Sequence, residues 1–253
     1  MSTIDPTNQL ASGSAQLGLP LTATQLDQFD VYARELSAWN ERFNLTTIAD
    51  PEGIVTRHFL DSLSALPWLA AARQESLATL LDTTLTAIDV GSGPGLPGLA
   101  LKLAWPRLDM TLLEATGKKV TFLNHVIDTL GLPGIRAVQG RAEELAIRPP
   151  WRAGFDLVTA RAVAPLRVLV EYLLPLARLN GWVMAYKGAH PQQELEETGG
   201  AIPHLGGHVL GAHNIQVPGL DERRSLILIH KTKPTPHTYP RASGIIRNHP
   251  LGP

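Results

Sequence analysis

The stretch AIDVGSGPGLPGLALKLAWP, from Ala87 to Pro106, places Gly91, Gly93, Gly95 and Gly98 directly after a carboxylate, Asp89. Gly93, Gly95 and Gly98 satisfy G-x-G-x-x-G, and Gly91, Gly93 and Gly95 satisfy G-x-G-x-G. Glycines at this density let a chain turn sharply out of a strand and bring its backbone close to a ligand. The spacing alone does not say which ligand.

Two chemistries compete. A nicotinamide dinucleotide brings a diphosphate, usually set against a helix N-terminus. S-adenosylmethionine has no phosphate and carries a sulfonium, an ammonium and a carboxylate. An acid in the mouth of the loop repels the first and suits the second. Asp89 ends the strand before the loop, where it can face the methionine moiety or order the loop. Glu114 ends the next strand and can accept both ribose hydroxyls, which either cofactor would want. In GRAEEL, Ala142 and Glu143 fall where an adenine edge is read by a backbone N–H and a polar group. Hydride transfer also needs an acid or base near the nicotinamide. His58, His125 and His190 are candidates by residue type alone, so methyl transfer is favoured.

Alternating elements must position these residues. TATQLDQFDVYARELSAWNERFNLT carries Leu26, Phe29, Ala33, Leu36, Trp39 and Phe43 at helical spacing, with Thr22 or Thr24 as its cap. A second amphipathic helix follows ADPEG, with Ile54, Val55, Phe59, Leu63 and Leu66 on one stripe. From Thr86 strands alternate with helices: TAIDVG, a helix from Leu96 to Trp105, DMTLLEA, the helix GKKVTFLNHVIDTLGLPG, IRAVQG, FDLVTARAV, the helix PLRVLVEYLLPLARLNG, then WVMAYKG. HVLGAHNIQV and RRSLILIHKTK close the series as an antiparallel pair. The expected class is α/β, a Rossmann-like fold with a mostly parallel seven-stranded sheet and an N-terminal helical extension. The expected divisions are a flexible arm over 1–20, a helical subdomain over 21–82, a catalytic domain over 83–233 and a basic tail over 234–253.

The totals are consistent with this. Hydrophobic residues at 44% and charged residues at 18% of 253 support a globular core. The absence of cysteine removes disulfides, thiolate metal sites and cysteine nucleophiles, and no metal is expected. The start lacks a signal-peptide pattern and no apolar run approaches a membrane span, so a cytoplasmic location is expected. Net charge is -1, yet no acid follows Glu222 whereas Arg223, Arg224, Lys231, Lys233, Arg241 and Arg247 do. One end is a strip of cations.

WNERFNLT, RHFLDSL, DVGSGPGLPGLALKLAWP, LLEATGKKVTFL, GRAEE, FDLVTARAVAPL and YKG occur in this order. From Thr24 onward the chain resembles the ribosomal small-subunit methyltransferase G family, also called glucose-inhibited division protein B. That resemblance implies a Rossmann-like S-adenosylmethionine-dependent enzyme that methylates N7 of a guanosine, usually numbered 527, in bacterial 16S rRNA. Its partner would be 16S rRNA or the small ribosomal subunit. The family's cofactor positions carry over onto Gly91, Leu96, Ala142, Glu143 and Arg161. The ending GIIRNHPLGP departs from the form of members that continue with proline and further basic residues.

Guanine N7 has a free lone pair at neutral pH and needs no deprotonation, so the lack of a His–Asp arrangement fits this chemistry. Arg161 leaves the fourth strand and can pair with guanine O6 or with a cofactor carboxylate. Lys187, at the end of the fifth strand, can meet a phosphate or O6. Asn44 and Thr46 either bond the base edge or close a turn. Trp39 is expected in the core and His58 as a structural histidine. Phosphate contacts are expected from Arg57, Lys118, Lys119, Arg223, Arg224, Lys231, Lys233 and Arg241. A dinucleotide-dependent oxidoreductase and a non-catalytic ribosome-assembly factor are the alternatives.

Overall fold

In β1 (Thr86–Val90) successive side chains face opposite ways. Ala87 joins one apolar cluster, Ile88 and Val90 the other. The same alternation recurs in β2 (Asp109–Glu114), β3 (Ile135–Gln139), β4 (Phe155–Arg161), β5 (Ala177–Lys187), β6 (Gly207–Ile215) and β7 (Arg224–Lys231). The computed structural model describes residues 5–252. The strands form one sheet in the order β3-β2-β1-β4-β5-β7-β6. The first five run parallel, and β7 inserts antiparallel between β5 and β6. Strand order reverses between β1 and β4, and the crevice beyond their C-terminal ends is where such sheets take ligands.

The N-terminal helices cover one face of the sheet. Thr22 caps Ala23–Phe43 in a reciprocal capping box with Gln25, and Phe29, Tyr32 and Leu36 are buried. Trp39 packs on Phe122 with ring centroids 5.6 Å apart. Residues expected as a loose arm instead contain the helix Pro6–Gln16, which buries Leu10 and Ser14. Gly13 lets it dock, since a Cβ there would run into the buried Leu60 side chain. Residues 1–4 lie outside the described residues.

The expected single stripe after ADPEG is also replaced. Pro51–Gly53, a π-helical turn over Ile54–Leu60, Asp61–Leu63 and Leu66–Ala72 follow one another. This segment is buried nearly all round, including Thr56, His58, Asp61 and Ser62. Polar residues in a π-bulge deep in the fold point to function.

The other face is covered by Leu166–Leu173 and by the chain after β7. The helix expected to run on through Gly181 stops at Leu173, shortly before Pro175, and residues 177–181, ARLNG, begin β5 instead. Proline cannot donate the hydrogen bond that would continue the helix. The tail expected over 234–253 is folded too across its described residues, 234–252: Thr235 and Ile246 are buried.

Candidate active site

The glycine loop connects β1 to the helix Gly98–Ala104. Its amides are all spoken for. Gly91 and Ser92 donate to the Leu113 carbonyl, and Gly95 and Leu96 to the Ser92 carbonyl. Gly93 N–H donates to Glu114 Oε2 at 2.9 Å, and Gly98 N–H to Asp89 Oδ2 at 3.0 Å. Pro94 and Pro97 have no N–H. A dinucleotide loop presents free amides to a diphosphate; here two carboxylates have taken those places.

Asp89 is fully buried and braces the loop. Its Oδ1 accepts from the Thr159 hydroxyl at 2.9 Å. Burial pushes its carboxyl up to about 6, against the pull of its hydrogen bonds. Of the two roles open to Asp89 in the sequence, the geometry selects the ordering of the loop. Gly98 must be glycine for this, because a Cβ would meet Leu112 Cδ2 at 2.5 Å and Asp89 Cβ at 2.7 Å.

Beside the loop lies a slot of about 120 Å³, lined by Gly91, Glu114, Ala142, Glu143, Val163 and Tyr172, among others. Glu114 also accepts from Thr116 N–H at 2.8 Å. Two bonds leave a carboxylate with acceptor capacity for a ribose diol. Glu143 Oε1 is buried with no hydrogen-bond partner, as expected of an atom that awaits an amino group. These residues fit S-adenosylmethionine, whose adenosine would lie along Glu114 and Glu143 and whose methionine would lie along Gly91 and Leu96.

A larger cavity of about 560 Å³ adjoins the loop on its other side. Arg57, Lys119, Arg161, Lys187 and Arg224 line it, against two carboxylates, Asp61 and Glu194. Arg161 Nη1 donates to Asp61 Oδ2 at 2.7 Å and to the Arg57 carbonyl at 3.0 Å. Arg224 Nε lies 3.6 Å from Asp61 Oδ1. Burial raises the Asp61 carboxyl, and the two guanidinium groups oppose that shift. Lys187 Nζ donates to the Ala164 carbonyl at 2.8 Å and pairs with Glu194 at 2.6 Å. Ala162 follows Arg161 in a left-handed conformation, φ 57°, a strained exit that turns the chain at the cavity wall.

His58 lies behind Arg161. Burial, and secondarily Arg161, lower its imidazole to about 4. Its Nδ1 sits 3.5 Å from Arg161 Nη2, a donor, so we assign the proton to Nε2, which lies 3.2 Å from the Ile48 carbonyl and from Thr46 Oγ1. A neutral, weakly basic histidine is a poor general base.

The fold gathers some predicted residues and disperses others. Gly91, Gly93, Leu96, Arg161, Lys187, Arg57, Lys119 and Arg224 meet at the cavity. Asn44 does not line it: it ends its helix in the left-handed region, φ 48°, which leaves only the turn-closing reading. Lys118 is exposed and donates to the Phe43 carbonyl at 2.8 Å. Arg223 is exposed at the start of the β7 end that faces the site. Lys231 is 2% exposed, with Nζ on the Leu205 carbonyl and Thr235, so no RNA can reach it. Lys233 lies beyond it at the far end of β7. Because β7 is antiparallel, that end is about 23 Å from the site, seven residues at ~3.3 Å each. Arg241 is fastened to Glu171 rather than free for phosphate. Asp61, Thr159, Tyr172 and Glu194 escaped the sequence reading. RHFLDSL held a signal for the first, an acid among apolar residues, but nothing in the sequence named its partners.

A family model described as rRNA small subunit methyltransferase G (GidB) matches residues 25–225. Ribosomal RNA small subunit methyltransferase G of Roseiflexus castenholzii is 46% identical over 235 residues, covering 92% of this chain and 95% of that protein. The protein of that name from Exiguobacterium sibiricum is 39% identical over 244 residues, covering 96% and 98%. Among solved structures, a mutant of MtNAS in complex with S-adenosylmethionine aligns with a TM-score of 0.52 at 15% identity, over 90% of this chain and 78% of that one, a likeness of fold. No helix among the described residues is long and apolar enough to cross a membrane, and no group of three or more His, Asp or Glu residues among them could hold a metal. With the family model matching residues 25–225, most of the chain, and relatives aligned nearly end to end, the chain belongs to the rRNA small subunit methyltransferase G family.

Proposed function

We propose that the protein methylates N7 of a guanosine in 16S rRNA, at the position usually numbered 527, with S-adenosylmethionine as donor. The observation that carries this reading is the pairing of two adjacent spaces. One is an acid-flanked loop with no amide left for a phosphate. The other is a cavity lined by five cations and only two carboxylates.

S-adenosylmethionine supplies an electrophilic methyl group on a sulfonium. Gly91 and Leu96 shape the wall against which its methionine part rests, and Glu114 and Glu143 orient its adenosine. Asp89 holds the loop and adds negative potential beneath a cationic ligand. Arg161 has donors left after Asp61, the Arg57 carbonyl and His58 are served, since a guanidinium carries five N–H groups, and these can meet guanine O6. Lys187 stands ready for O6 or a phosphate once Glu194 yields. Both cavity carboxylates are already engaged, Asp61 with Arg161 and Arg224, and Glu194 with Lys187 and the Leu166 N–H. That suits a nucleophile with a lone pair already exposed. Catalysis then rests on holding N7 in line with the methyl group. Lys119, Arg223 and Arg224 offer phosphate contacts around the mouth, Arg57 can join them once its exposed pair with Glu222 opens, and the target base must leave its stack to enter.

Tritium from methyl-labelled S-adenosylmethionine should enter 16S rRNA, in naked form or within the subunit. Borohydride reduction followed by aniline should then cleave the RNA at the labelled guanosine. Absence of label from both forms overturns the substrate; label without cleavage overturns the N7 position.

A further inference from the structure

The segment after β7 returns to the cofactor side of the sheet. Arg152 ties down its first part, donating to the carbonyls of Thr235, Pro236 and Tyr239 at 2.7, 3.1 and 2.7 Å. Arg241 then grips fully buried Glu171 through Nε and Nη2 at 2.9 and 2.7 Å. The short helix Ser243–Asn248 follows and drives Ile246, 0% exposed, into the core beneath Leu166–Leu173. These anchors deliver the next side chain, Arg247, to the wall of the 120 Å³ slot.

That slot contains an anomaly. Glu143 Oε1 and the Tyr172 hydroxyl are both buried there without a hydrogen-bond partner, on residues 8% and 6% exposed. Unmatched polar atoms in such a place cost stability unless something arrives to use them. The Tyr172 hydroxyl, and then the Glu143 carboxylate, raise the affinity of Arg247 for its proton above the ordinary arginine value. Arg247 lines the slot together with both residues.

We propose that Arg247 is a cofactor-binding residue, which closes the adenosine end of the S-adenosylmethionine site and balances the charge of Glu143 when that carboxylate meets the adenine amino group. This rests on the reading that the slot takes the adenine ring. A planar guanidinium suits the task, because it offers a flat cationic face to an aromatic base while its edge hydrogen-bonds an acid. The ending GIIRNHPLGP thereby acts on the cofactor rather than on RNA.

Calorimetry tests this on the full chain with three probes: S-adenosylmethionine, S-adenosylhomocysteine and 5′-methylthioadenosine, which lacks the amino-acid part. Arg247→Ala should weaken all three by about fivefold to tenfold, with the thermal midpoint of the ligand-free protein unchanged. Arg247→Lys, which keeps the charge without the plane, should fall between. Binding of all three by Arg247→Ala within twofold of the parent overturns the proposal. So does a loss confined to the two probes with an amino-acid part, which would place Arg247 at the other end, or a loss confined to RNA affinity. Should Arg247→Ala fail to fold, Arg247→Lys and Arg247→Gln carry the same comparison. If the parent protein binds none of the probes, the cofactor reading itself fails, a result distinct from the others.

Discussion

The Tyr32 hydroxyl donates to the Pro94 carbonyl at 2.7 Å, joining the middle of the helix Ala23–Phe43 to the apex of the glycine loop. Gln25 reinforces the link, with Nε2 on the Leu103 carbonyl at 2.9 Å. The N-terminal helices therefore hold the cofactor loop in shape as well as covering the sheet.

Tyr32→Phe removes that donor and leaves the carbonyl without its partner. The expected cost is about 1–2 kcal/mol, a fall in thermal midpoint of roughly 2–6 °C for a chain of this length. S-adenosylmethionine affinity should fall several-fold with it. A normal midpoint and a normal dissociation constant together would show that the link does not brace the loop.

Asp89 predicts a pH dependence. Its folded-state value of about 6 stands above the ~3.9 of an unfolded aspartate, so the folded chain binds this proton more tightly. The stabilising contribution is full below pH ~4 and is lost as pH rises through about 6. A cationic ligand favours the carboxylate, so cofactor affinity should move the opposite way, strengthening from pH 5 to pH 7.5. Asp89→Asn should flatten both trends. Denaturant melts and calorimetry across that range decide, and a parent protein with a flat affinity profile would refute the assignment.

Arg161→Ala should lower methyl transfer by about a hundredfold or more and destabilise by roughly 3 kcal/mol, because Asp61 keeps only the more distant Arg224. It should also move His58. Arg161 is the second cause of that imidazole's low value and burial the first, so the titration point should rise from about 4 yet stay below the ordinary histidine value. Proton NMR of the His58 ring reads this directly. Arg161→Lys should recover stability more than turnover, since one ammonium cannot serve Asp61 and a base together.

The cations should divide by strand end. Lys119→Ala and Arg223→Ala should each weaken binding to 16S rRNA and lower the slope of log K against log salt by about 1. Lys231→Met and Lys233→Ala should leave that slope unchanged. Filter binding at graded salt separates the groups; equal losses in both would mean that RNA also reaches the far edge of the sheet.

The order of strands and helices, the glycine loop and its flanking acids were legible in the sequence, because each depends on residues within a few positions of one another. Side-chain period, turn chemistry and strand ends are local properties. The partners were not legible. Arg161 meets Asp61 across 100 positions and Arg57 meets Glu222 across 165, and no local pattern encodes such pairs. The direction of one strand had the largest effect on the basic residues. By running antiparallel, β7 places Arg224 at the site and buries Lys231 at the opposite edge. Chain after β7 could then fold back to the slot beside the glycine loop, where Arg247 stands. The sequence by itself determined that a cationic methyl donor suits this loop; only the tertiary structure decided which charges surround it, because charge acts through space and the fold sets the distances.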